Sequence, residues 1–137
     1  MSLAPIFLSV DDVLELHRRG INEHGGDSGV RDLALLESAV ATPQAGFGGE
    51  YAHPTLWLMA AAYAFHIAEN QPFVDGNKRA AIAAALYFLA LNGFSFDARA
   101  NAPLYDAMIG LSSRALDKAG LARLFEALAL NASPTPG

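Results

Sequence analysis

Between positions 70 and 79 the chain reads Asn-Gln-Pro-Phe-Val-Asp-Gly-Asn-Lys-Arg, and no other stretch brings a glycine, a carboxylate, amides and two cations so close together. The residues that follow, Ala80 to Leu91, are apolar helix formers that stop at Gly93, so the polar turn stands at the mouth of a helix. The first N–H groups of a helix lack intrahelical partners and carry partial positive charge, which attracts anions. Lys78 and Arg79 add two full charges at that end, and the combination suits a phosphate.

Residue types then assign roles for a bound nucleotide polyphosphate. Gly76 allows the tight backbone of an anion nest, Asn77 offers an amide to a further oxygen, and Lys78 and Arg79 neutralise charge on phosphoryl oxygens. Asp75 would repel phosphates unless a divalent cation stood between them, and Mg2+ prefers such a set of carboxylate, phosphate oxygens and waters. Pro72 and Phe73 plug the loop into the core. The same residues also fit a plain capped turn, with Asp75 or Asn77 capping the helix and Arg79 paired with a carboxylate. Two cations in a first turn oppose the helix dipole, which weighs for the anion.

The elements that must position this loop follow from periodicity and caps. Ser9 with Asp12 three residues on opens a first helix that ends near Gly20 to Glu23, and Asp32 caps a second over Leu33 to Val40 that stops before Pro43. Residues 43–53, with Pro43, Gly46, Gly48 and Gly49, read as a mobile loop able to form a short hairpin or flap. Pro54 suits a first helical position, and Leu56 to Ala68 is apolar on nearly all sides. Helix four is expected from about Asn77 to Asn92 as the centre of the core, followed by a short strand at Phe94 to Phe96. A weaker helix capped by Asn101 runs to about Gly110, and a last one spans Asp117 to Leu130. The fold class is all-α: a compact helical bundle around a central buried helix, forming one domain over residues 1–131 with a disordered tail at 132–137.

With 137 residues, 53% of them hydrophobic, the chain can bury a real core, and no run is long enough for a membrane span. A net charge of -5 argues against nonspecific nucleic-acid binding. There is no cysteine, which removes disulfides and thiolate chemistry, and a cytoplasmic location is expected. Gly26-Asp27-Ser28-Gly29 matches the nucleophile loop of trypsin-like proteases, but those enzymes need two β-barrels, so a capped interhelical turn is the better reading. The histidines lack metal-ligand spacing and read as surface or cap residues. His66 is the exception, placed with Asn70 in a buried or supporting role behind the loop. No glycine directly precedes Lys78, so a Walker A loop is excluded.

Pro72-Phe73-Val74-Asp75-Gly76-Asn77-Lys78-Arg79 resembles the signature loop of the Fic/Doc family, H-x-F-x-D-G-N-x-R, and Lys78 in the variable slot resembles the Doc branch. Gly29-Val30-Arg31-Asp32, Leu35 to Ala39 with Pro43, and Phe47-Gly48-Gly49 are similar to Doc-type segments as well. The resemblance implies an all-α domain that binds ATP and Mg2+ and modifies a protein hydroxyl. For the Doc branch it implies phosphoryl transfer to a translation elongation factor, with an antitoxin acting in trans. For the wider family it implies AMP transfer. Residues 43–53 would be the flap that aligns the target, and no S/T-x-x-x-E-G/N inhibitory segment is present. Gln71 stands where the family has its catalytic histidine, and glutamine orients a hydroxyl without taking its proton. A catalytically silent binding module is therefore a third expectation, beside a slow kinase and an AMP transferase.

Overall fold

Side-chain caps set most of the helix starts. A computed structural model describes residues 4–130, and within them six α-helices account for most of the chain. Helix α1 (Val10–His24) opens on a reciprocal capping box, in which Ser9 Oγ accepts from the Asp12 N–H and the Asp12 carboxylate accepts from the Ser9 N–H. Asp32 caps α2 (Leu33–Ala41) and Asp117 caps α6 (Lys118–Leu128). Helix α3 (Leu56–Asn70) is capped by Thr55, so Pro54 lies before the cap and not at the first helical position.

Helices α3 and α4 (Asn77–Leu91) pack against each other and are joined by the polar loop. Both helices bury small residues, Ala60, Ala61 and Ala64 on α3 and Ala81, Ala84 and Ala85 on α4, and small side chains let packed backbones approach closely. Phe88 of α4 fills the space beside Tyr63 of α3, the ring centroids 5.2 Å apart. The centre of the bundle lies nearer α3 than the expected α4. Helix α3 is covered by α2, α4, α5 and α6, whereas α4 keeps its first turn and Tyr87 exposed. The expected all-α bundle with a central buried helix is what the chain forms.

Tyr63 also secures the segment before α1. Its hydroxyl accepts the Leu8 N–H at 2.9 Å, and burial pushes the phenol up to about 12. Asn92 at the end of α4 bonds both the N–H and the carbonyl of Ile6.

Residues 43–53 form a short 3-10 turn and then a two-stranded antiparallel hairpin, β1 (Gly46–Phe47) with β2 (Glu50–Tyr51). Both turn residues have positive φ, Gly48 at 63° and Gly49 at 84°, as a tight primed turn requires. Phe47 at the tip is 94% exposed, and Tyr51 sets its ring edge against Phe7. The expected strand at Phe94 to Phe96 is reduced to one isolated bridge between Ser95 and Leu130. Helix α5 (Asn101–Ser112) is led in by a 3-10 turn capped by Asp97, so Asn101 is its first residue and makes no side-chain cap. The expected tail at 132–137 lies outside the described residues.

Candidate functional site

The loop between α3 and α4 is held in shape by three other parts of the chain. Helix α3 ends with Gln71 in the left-handed region, φ 47° and ψ 58°, which a non-glycine residue occupies at a cost. Arg31 compensates by donating from Nε to the Gln71 carbonyl at 2.7 Å and from its terminal nitrogen to the Asn70 carbonyl at 2.8 Å. The N–H groups of Arg31 and Asp32 both donate to the Pro72 carbonyl, and the Val74 N–H donates to the Gly29 carbonyl. Residues 27–32 thus run beside the loop as a brace, with Val30 and Phe73 forming a bridge. The turn expected from the protease-like Gly26–Gly29 motif is the start of this brace. Asn70 faces away from the loop's open side and donates to the Leu35 carbonyl.

Phe73 is 1% exposed and is the plug expected from its type. Its ring stacks on His17 of α1, centroids 3.7 Å apart and planes within 6°. His17 is 4% exposed and its Nε2–H donates to the Asp75 carbonyl at 2.8 Å, so it is a core histidine and not the surface or cap residue expected. Phe73→Ala is expected to lose about 3–5 kcal/mol, the range for emptying a buried aromatic site. Thermal or urea unfolding measures it.

Asn77 gives both ends of its amide to the loop. Oδ1 accepts from the Phe73 N–H and Nδ2 donates to the Phe73 carbonyl, each at 3.0 Å. That leaves the helix start uncapped. Gly76 is the N-cap at φ 78°, makes no side-chain cap, and a Cβ there would sit 3.3 Å from Ile21 and 3.6 Å from His17. Only glycine meets both demands. The N–H groups of Asn77, Lys78 and Arg79 have no partner among the described residues. Lys78 and Arg79 are exposed and make no ion pair among them, and the first turn of α4 carries no acid. The capped-turn alternative, with Asp75 or Asn77 on the helix and Arg79 on a carboxylate, is not what forms.

Asp75 directs Oδ2 to the Asp27 N–H at 3.0 Å, while Oδ1 has no partner among the described residues. A carboxylate oxygen without a partner among the described residues fits a cation that keeps its waters and shares phosphate oxygens, as Mg2+ does. No group of three or more His, Cys, Asp or Glu residues among the described residues could form an all-protein cage.

These groups open on a cleft of about 690 Å3 between the loop and α5, a volume suited to a small organic ligand. Gln71, Asp75, Gly76, Asn77, Lys78 and Arg79 line one end. Ile82 and Leu86 of α4 with Leu104, Tyr105 and Met108 of α5 line the other. Sequence reasoning missed this α5 wall, and it missed His17, Asp27 and Arg31. Arg31 lies in a segment that carried the family resemblance, yet nothing in its residue type names its partners. His66 is not at the loop. Its Nε2 lies 3.1 Å from Lys118 on α6, and it does not line the cleft.

Bundle, loop and cleft define a helical protein that sets N–H groups without partners among the described residues, and two cations, at the head of α4. A profile of the Fic/DOC family matches residues 7–89, more than half of the chain, and the chain belongs to that family. It is 48% identical to the Toxin Doc of Mycolicibacterium smegmatis over 87 residues, 64% of this chain and 65% of that protein. It is 33% identical to the Protein kinase doc of Escherichia phage P1 over 86 residues, 63% of this chain and 68% of that protein. The match thus spans just under two thirds of the mycobacterial relative's length.

Proposed function

We propose that the chain is a Doc-type toxin that binds ATP with Mg2+ and transfers a phosphoryl group to a hydroxyl of a target protein, a translation elongation factor in the first instance, with an antitoxin acting in trans. The observation that carries this reading is the start of α4, where three N–H groups and two cations without partners among the described residues belong to residues that line one cleft. ATP supplies the phosphoryl group, and Mg2+ would screen Asp75 from the phosphates. The N–H groups of residues 77–79 cradle an anion, and Lys78 and Arg79 oppose charge that builds on phosphoryl oxygens. The apolar wall from Leu104 to Met108 suits a nucleoside base. The flap at 46–51, with Phe47 exposed at its tip, is assigned to the target segment.

Gln71 orients the acceptor hydroxyl without removing its proton, so turnover is slow. The test incubates the protein with Mg2+, elongation factor and ATP labelled at either the γ or the α position. Label from the γ position on protein is the expected result. Label from the α position would assign AMP transfer instead. No transfer despite measurable nucleotide binding would assign a silent binding module, a reading that Gln71 specifically favours.

A further inference from the structure

On the face of α3 away from the cleft, three basic side chains from three elements converge. Lys118 Nζ, on the first residue of α6, lies 3.1 Å from His53 Nε2 and 3.1 Å from His66 Nε2. His53 sits in the connection from β2 to α3, and His66 on α3 itself. We propose that Lys118 is a nucleophilic amine and a site of acylation, activated by the two imidazoles that enclose it.

The geometry supports this in three ways. First, Lys118 forms no ion pair with a carboxylate among the described residues, although the Glu69 charge reaches His66. The acid nearest in the chain on α3, Glu69, pairs with Arg114 at 3.4 Å, and Asp117 is used in capping α6. Second, all three basic groups are partly buried, which disfavours a second charge. Third, His53 Nδ1 is buried with no hydrogen-bond partner among the described residues, where the ring's one hydrogen bond is to Lys118. Burial pushes Lys118 below the usual lysine range, and burial together with the neighbouring Lys118 charge lowers both histidines, His66 to about 4. The three nitrogens are therefore disfavoured from all being charged together.

The reaction balances without a further cofactor. The neutral Nζ lone pair attacks the carbonyl carbon of an acyl thioester, the N–C bond forms, and the C–S bond breaks to release thiolate. An imidazole Nε2 takes the proton lost from nitrogen and returns it to water. The product amide carries no charge and is bulkier than the amine. Lys118 holds the start of α6 to α3 and to the stem of the flap, so acylation is expected to loosen that junction.

The chain has two lysines, and exposed Lys78 serves as the internal reference. The full chain would be treated with heavy-isotope S-acetyl-N-acetylcysteamine, a neutral donor. The remaining amines would then be capped with light reagent under denaturing conditions and the isotope ratios read by peptide mass spectrometry. Near neutral pH, Lys118 is expected to label about fivefold faster than Lys78, since the gain in free amine outweighs the loss of intrinsic nucleophilicity. Its rate should also level off at lower pH than that of Lys78. In the His53→Gln/His66→Gln variant, which keeps polar groups at both positions, the advantage should disappear while the melting transition remains. A Lys118 rate at or below that of Lys78, parallel pH profiles, or an unchanged rate in the folded double variant would each overturn the proposal.

Discussion

Replacing Gln71 with histidine is expected to raise transfer of label from ATP to protein by about 10²- to 10⁴-fold, the contribution typical of a positioned general base. The backbone at this position favours the exchange. Gln71 occupies the left-handed region, where histidine is among the better-tolerated non-glycine residues. Its N–H donates to the Ile67 carbonyl and its own carbonyl is held by Arg31, and neither contact involves the side chain. Gln71→His should therefore change chemistry without changing the loop. Single-turnover assays with labelled ATP measure the gain, and unchanged nucleotide affinity in the same variant would locate it at the chemical step. A variant that binds nucleotide as wild type does and transfers nothing would sink the kinase and AMP-transfer readings together.

Arg79→Ala should act on the opposite half of the site. The side chain makes no ion pair among the described residues, so its removal strands no buried partner, and the fold should hold. Loss of one charge-assisted contact to phosphate, worth about 1.5–3 kcal/mol, predicts roughly a 10- to 150-fold weaker affinity for ATP. Titration calorimetry reads this whether or not the wild type turns over. Adenosine, which has no phosphates, should bind both proteins alike, and an equal loss of adenosine affinity would indicate a damaged cleft instead.

The cage around Lys118 adds a dependence on acidity. The folded protein keeps His66 neutral to about 4, whereas the unfolded chain takes up that proton near its ordinary value of 6.5. The unfolded state binds the extra proton between these values, so stability present above about 6.5 should fall as pH drops toward about 4. Urea midpoints measured across that interval should follow this course in wild type and become flatter in His66→Gln.

Local signals were sufficient for much of the molecule. Ser9 with Asp12, Asp32 and Asp117 marked helix starts because capping depends on one or two side chains at fixed spacing. The polar cluster at the head of α4 was legible for the same reason, since Gly76, Asn77, Lys78 and Arg79 are contiguous. What could not be read was tertiary. His17 lies 58 residues from the carbonyl it bonds, and Arg31 lies 40 residues from Gln71. The family resemblance marked the Arg31 segment but did not reveal its partner. The partner of His66 could not be read for a related reason. Counting residues back from the loop gave its height along α3 but not its face, and that face turns to α6.

The pair of hydrogen bonds between Asn77 and Phe73 closes residues 73–77 into a small ring of their own. Gln71 lies outside that ring, tethered separately through Arg31. The loop therefore has two halves held in shape by different bonds, residues 73–77 by their own ring and Gln71 by Arg31, and both rest on the 27–32 brace. Under the proposed function, substitution at position 71 would change or erase the reaction while residues 73–77 keep their shape, so such a scaffold would pass between enzyme and receptor by a change at one residue.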